Sequence, residues 1–303
     1  NSRKVAKDLF QYTYLSEFYP FENSFDKNHS KSINPLIKEI CWVPSLGKEL
    51  IFIVINLTQV KLCKFSFKNK RIPIKSNSGF TEINNVKRFN WPKLELKIEH
   101  FPIETIYNYS NLHELDMNGL SISNNYEYFM TSDDLNVNIW NIEKENISTT
   151  VFKFKSSSSG IDSITDVVSK IKFDEFNDFV FYIGTATGKT LLIDIRETCC
   201  NQRHIEFYHR EHSDSLIKAP STDIINISNN EIVSRDLCNV RLWDVRNYEK
   251  PLSSFNLYRE KLVDYIYANN YYNKNDIVDK FTTSKLSSSE LITGLYDNQL
   301  EII

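Results

Sequence analysis

One rhythm recurs along this chain and limits what it can fold into. A run of alternating apolar residues closes on a bulky slot, and a polar turn and another run stand before it. "DLCNVRLWDVRN" (236–247) shows it most fully. "DDLNVNIWNIE" (133–143) and "GKTLLIDIRE" (188–197) repeat it, and "LTQVKLCKFS" (57–66) and "YDNQLEII" (296–303) are weaker copies. The slot residues are Cys63, Trp140, Ile193, Trp243 and Ile303, at intervals of 77, 53, 50 and 60 residues. Alternation with period two and β-branched residues specifies half-buried strands. The runs before the turns, "YEYFMTS", "FVFYIGT", "EIVSRD" and "ELITGLY", read as partner strands. Strand, turn, strand, repeated around a chain, is the syntax of propeller blades. WD-type repeats recur at roughly 40–45 residues, so the intervals require long loops and an insertion in the first. The expectation is an all-β WD-repeat β-propeller, one domain over 1–303. The best helix candidate, "YREKLVDYIYANNY" (258–271), suits a loop running into a strand equally well.

Composition excludes several classes. Of 303 residues, 41% are hydrophobic and 13% aromatic, enough for a sizeable core. A net charge of −3 gives no global drive toward nucleic acid or an anionic membrane, and neither is expected as a partner. The most apolar run, "LIFIVINL" (50–57), is far short of the roughly 20 residues that span a bilayer. The cysteines, Cys41, Cys63, Cys199, Cys200 and Cys238, are odd in number and no secretory signal precedes them. A reducing compartment follows, with the cytosol expected first and the nucleus second.

Two stretches invite chemistry. "GTATGKT" (184–190) resembles a phosphate loop, but only three residues separate Gly184 from Gly188, and a strand follows instead of a helix. It is expected to be a blade turn. "CCNQRHIEFYHREH" (199–212) contains zinc-type ligands, but adjacent cysteines chelate poorly and no second ligand pair has finger-like spacing. The six histidines form no assignable triad. No catalytic residue, metal or cofactor is expected.

The acidic turns remain. Asp133 and Asp134 precede "LNVNIW", Asp236 holds the matching place before "LCNVRLW", and Asp162 and Asp166 fall in "GIDSITDVV". Asp134 stands six residues ahead of Trp140, the expected place for a turn-holding carboxylate. Asp133 and Asp236 are expected to be freer to face a partner. Clustered on one face, such carboxylates attract Lys/Arg-rich protein segments. Between the first two repeats, "INNVKRFNWPKLELKIEHF…" (from 83) is basic, aromatic and broken by proline. Its first half reads as a projecting hairpin arm, assigned to 83–110, with exposed apolar residues for a partner.

These stretches together resemble the WD-repeat B-type regulatory subunits of protein phosphatase 2A. "YEYFMTSDDLNVNIWNIE" (126–143) is similar to that family's second blade, and "ITDVVSKIKFDEFNDFVFYIGTATGKTLLIDIRETCC" (164–200) to the next. "EIVSRDLCNVRLWDVRNYEKPL" followed by "LVDYIYANNYYNKNDIVDKF" is the most specific element. The resemblance implies a seven-bladed ring, its C-terminal blade missing here, with about six blades covered. It implies no catalysis, and docking on the phosphatase scaffold subunit, next to the catalytic subunit. Val86, Lys87, Phe89 and Trp91 would lie on the arm facing the scaffold. Asp133, Asp134, Asp162 and Asp236, with Ile164 as an apolar neighbour, would receive basic segments of phosphoprotein substrates. Where the family has Tyr-His before this blade, the chain reads Leu115-Asp116, which changes the polarity of the groove. The alternative is a WD-repeat adaptor or substrate receptor of another multiprotein complex, which has no need of the arm.

Overall fold

The structure is a computed structural model. It describes residues 18–22, 24–26, 31–33, 36–44, 49–66, 79–83, 86–90, 103–109, 113–145, 147–154, 166–197, 204–208, 220–257, 281–287, 290–295 and 300–303. Every regular element among them is a strand. A short hairpin, β1 (Ser24–Asp26) and β2 (Lys31–Ile33), comes first. The first blade follows as β3 (Glu39–Val43), β4 (Glu49–Ile55) and β5 (Val60–Ser66). Next come a separate hairpin of β6 (Gly79–Ile83) with β7 (Val86–Asn90), and then β8 (Ile103–Tyr109), which returns to pair with β5. The second blade is β9 (Gly119–Ile122), β10 (Tyr128–Ser132), β11 (Asn136–Asn141) and β12 (Ser148–Lys153). The third is β13 (Val168–Phe173), β14 (Val180–Thr185), β15 (Thr190–Asp194) and β16 (His204–Phe207). The fourth is β17 (Ser221–Ser228), β18 (Glu231–Asp236), β19 (Asn239–Asp244) and β20 (Ser253–Asn256). The fifth contributes β21 (Thr283–Lys285), β22 (Leu291–Gly294) and β23 (Leu300–Ile302).

Each blade is an antiparallel meander whose strands pair in chain order. The first strands β3, β9, β13, β17 and β21 touch one another in the same order, so they are the inner strands around an axis. That is a β-propeller, and five of its blades are described. The slot residues fall where the rhythm puts them, on or beside the third strands β5, β11, β15, β19 and β23. Three of them, Trp140, Ile193 and Trp243, fill the space between neighbouring blades. Trp140 packs in one cluster with Phe129, Tyr109 and Ile53, joining blades one and two. Ile193 sits with Met130, Val168 and Phe181 between blades two and three. Trp243 sits with Tyr182 and Phe207 between blades three and four. Truncating a buried Trp costs about 3–5 kcal/mol, so these contacts decide the spacing of the blades.

Two findings sharpen the expected outline. The hairpin of the arm begins at Gly79, four residues before the boundary drawn from sequence. Residues 103–109, assigned to the arm, are instead the outer strand of blade one. The "GTATGKT" stretch joins β14 to β15. Gly188 turns there with φ 83°, and Gly184 lies so close to blade four that an added Cβ would meet Ser221 Oγ at 2.7 Å. Both glycines serve the fold. The helix candidate at 258–271 lies outside the described residues.

Candidate protein-docking face

In each meander the turn between second and third strands, and the link into the next blade, lie at one end. Asp133 and Asp134 occupy this turn in blade two, and Asp236 occupies it in blade four. The expected roles of the adjacent pair are reversed. Asp133 is completely buried. Its Oδ1 accepts the backbone N–H groups of Leu135 at 2.7 Å and Asn136 at 2.6 Å, closing the turn. Its Oδ2 takes Nδ1 of His113 at 2.9 Å and the Asn136 amide at 3.2 Å. His113 Nε2 lies 2.7 Å from Thr131 Oγ1, which also accepts Trp140 Nε1–H at 2.8 Å. Asn138 Nδ2 lies 3.3 Å from the same His113 Nε2, and this donor assigns Nε2 as acceptor and places the ring proton on Nδ1, toward Asp133. Burial alone would raise the Asp133 pKa; the bonds from His113, Leu135 and Asn136 outweigh it and hold the carboxyl below its ordinary range.

Asp236 is likewise buried. Its Oδ1 accepts Cys238 N–H at 2.8 Å and Asn239 N–H at 2.7 Å, while Oδ2 pairs with Arg241. Trp243 Nε1–H donates to Ser234 Oγ at 2.8 Å. The oxygens of Asp133 and Asp236 are therefore engaged in bonds within the chain, although both were expected to be the freer carboxylates. Asp134 is the exposed member of the pair. Its Oδ1 accepts Asn118 Nδ2–H at 2.9 Å, and its carbonyl accepts Val168 N–H at 2.8 Å.

Of the other acids on this end, sequence reasoning named Asp116 and Asp166 but missed Glu114. Glu114 and Asp116 stand exposed in the link entering blade two, with Leu115 between them. Asp166, half-buried, accepts Thr187 N–H at 3.1 Å and the Thr187 hydroxyl, tying the link to the "GTATGKT" turn. A run of exposed carboxylates just before a buried Met117 was the available signal for Glu114. Asp162, Ile164 and Trp91 lie outside the described residues, and so do Cys199 and Cys200. Val86, Lys87 and Phe89 are on β7, which pairs with β6.

The axis carries a second set of charges. Lys170 Nζ on β13 reaches Glu39 Oε1 on β3 at 2.6 Å, and Glu39 Oε2 accepts Leu120 N–H on β9 at 2.8 Å. Burial would lower the Lys170 pKa, but Glu39 and Asp223 raise it. Asp223 on β17 accepts Thr283 N–H at 2.7 Å, and burial pushes its carboxyl pKa up despite the nearby Lys170. Burial, with Glu39 adding to it, pushes the Cys41 thiol up to about 11, so it is not a ready nucleophile. Among the described residues no group of three or more His, Cys, Asp or Glu could hold a metal ion.

Comparison with known proteins places this architecture. No family model matches the chain. It is 26% identical over 307 residues to the 55 kDa regulatory subunit (B-type, beta isoform) of goldfish (Carassius auratus) serine/threonine-protein phosphatase 2A, covering 95% of this chain and 67% of the relative. The chain is similar in sequence to B-type regulatory subunits of protein phosphatase 2A along nearly its whole length. A second such relative, the B-type regulatory subunit of protein phosphatase PP2A from Candida tropicalis, is 24% identical over 99% of this chain and 61% of its own length. The chain thus spans about two thirds of these relatives. In fold it is similar to Raptor of Chaetomium thermophilum, with a TM-score of 0.58 and 12% identity over 91% of this chain and 20% of that one.

Proposed function

We propose that this chain is a non-catalytic regulatory subunit of a protein phosphatase 2A-type serine/threonine phosphatase. The observation that carries the reading is similarity to named B-type regulatory subunits along 95% of the chain, blades and links alike. In this reading the β6–β7 hairpin, with Val86, Lys87, Phe89 and Trp91, grips the scaffold subunit. The exposed acids Glu114, Asp116 and Asp134, with Asp162 and Ile164 from the following link, receive basic segments of phosphoprotein substrates near the catalytic subunit. Exposed carboxylates attract such segments through long-range charge, which speeds encounter and selects sign. No cofactor enters, and the complex would work in the cytosol.

Co-elution with the phosphatase 2A scaffold and catalytic subunits on a sizing column tests the assembly. A ternary peak is expected, and deleting 84–98 should abolish it while the propeller stays folded. A folded chain that never enters the complex would leave a WD-repeat adaptor as the better reading. Asp116→Lys with Asp134→Lys should weaken binding of a Lys/Arg-rich substrate peptide, and added salt should do the same to the unaltered chain. Binding that responds to neither would reject the acidic face.

A further inference from the structure

The joint between blades four and five departs from the joint before it. Where blade three meets blade four, Tyr182, Phe207 and Trp243 pack together, and the partly buried Val180, Leu192 and Ile205 lie against them. Strand register gives the counterpart of each residue one blade on. Tyr182 pairs with Leu192, and Val233 with Leu242. Ile205 pairs with that same Leu192, and Ser253 with that same Leu242. Val180 pairs with Asp194, and Glu231 with Asp244. Phe207 pairs with Thr190, and Phe255 with Val240. From blade five, Ile303 exchanges both backbone hydrogen bonds with Leu291, and so stands opposite it as Trp243 stands opposite Ile232.

The pattern is kept while bulk and apolarity are lost. Val233 takes the place of Tyr182, Ile303 that of Trp243, Glu231 that of Val180 and Ser253 that of Ile205. The result is a cavity of about 620 Å³, lined by these four residues with Leu242, Phe255 and Leu291. Phe207 is 1% exposed in its joint, and Phe255 is 46% exposed in this one. Small-molecule sites have this size and this make-up, apolar walls with a few polar groups. The polar groups here include two carboxylates from facing blades. Glu231 Oε2 accepts the Ser228 hydroxyl at 3.1 Å, and Glu290 Oε2, also in the lining, accepts the Ser287 hydroxyl at 3.3 Å. A carboxylate accepts about four hydrogen bonds, so each has capacity for a further donor. Lys285, in the same lining, has its ammonium 3.5 Å from Glu175.

We infer that this joint binds a small planar aromatic molecule carrying an N–H donor. Its ring would take the volume that the Trp243 indole takes next door, where that indole meets Phe207 edge-on with ring centres 5.7 Å apart. Phe255, Leu242 and Leu291 would cover the ring, and a carboxylate of Glu231 or Glu290 would accept the N–H. The site rests on the register of blades three to five and stands whether or not the chain enters a phosphatase complex.

Isothermal titration of the unaltered chain with indole is the test. Benzofuran, the same shape without the N–H, and a capped Gly-Trp-Gly peptide are the comparisons. Indole should bind saturably and more tightly than either. Ile303→Trp returns an indole to the joint, so it should abolish the binding and raise the melting temperature. Val233→Tyr fills the same space from the other blade, should also abolish binding, and decides the matter if Ile303→Trp does not fold. No saturable indole binding, or binding that persists in a folded filled variant, would overturn the inference. Benzofuran binding as tightly as indole would overturn it by removing the N–H contact. Tighter binding of the peptide would overturn it by assigning the joint to a Trp side chain of a protein partner.

Discussion

Asp133 and Asp134 share one turn, and hydrogen-bond geometry separates them. A side-chain oxygen at the first place of such a turn reaches the N–H groups two and three residues on, and Asp133 does so. That commits it inward, where His113 completes its shell. Asp133→Ala removes a buried, multiply bonded carboxylate and should cost about 3–5 kcal/mol in urea unfolding. Asp134→Ala should stay within about 1 kcal/mol. The pH dependence has a defined sign. The Asp133 pKa is lowered in the folded state, so its contribution is present above the unfolded carboxylate range and is lost as pH falls through the folded value. The distinction was half legible. Asp236 precedes Trp243 by seven residues, and the same count back from Trp140 lands on Asp133, not Asp134. The His113 partner was not legible, because it comes from the link twenty residues earlier and no local pattern announces it.

At the scale of the element, blades are spaced by what their facing strands permit. Gly184 on β14 and Ser221 on β17 leave no room for a methyl group, since a Cβ on Gly184 would stand 2.8 Å from Ser221 Cβ. Gly184→Ala should therefore destabilise by about 1–3 kcal/mol, and Ser221→Gly added to it should restore much of the loss. Thermal unfolding of the single and double variants checks this; equal melting temperatures for Gly184→Ala and the unaltered chain would mean the blades yield. The third strands were readable even where Cys63 and Ile303 replace Trp, because alternation and burial belong to the strand and not to the Trp. The limits of the arm were not readable. "IETIYNY" alternates like any strand, and only its pairing with β5 makes it the edge of blade one.

Across the whole molecule, the axis joins blades that sequence keeps far apart. Lys170 and Glu39 bring the inner strands of blades three and one together, and Asp223 adds blade four to the same charge field. The Asp223 pKa is raised in the folded state. A raised carboxyl contributes stability that is present below the unfolded pKa and lost as pH rises through the folded one. Asp223→Asn cannot titrate, so its stability relative to the unaltered chain should improve from about pH 4, the unfolded carboxylate range, to about pH 8. Urea midpoints at the two values measure this, and a difference independent of pH would show that Asp223 titrates normally.

The Lys170–Glu39 pair also orders events in time. Each blade is a meander of consecutive residues, so a growing chain can complete one blade before the next leaves the ribosome. The pair spans 131 residues, and Glu39 must wait through two finished blades for its cation. Until β13 arrives, the start of the ring holds an inward-facing carboxylate whose only described anchor is the Leu120 amide. Closure of that contact therefore marks the moment at which separate blades become a ring segment of fixed curvature.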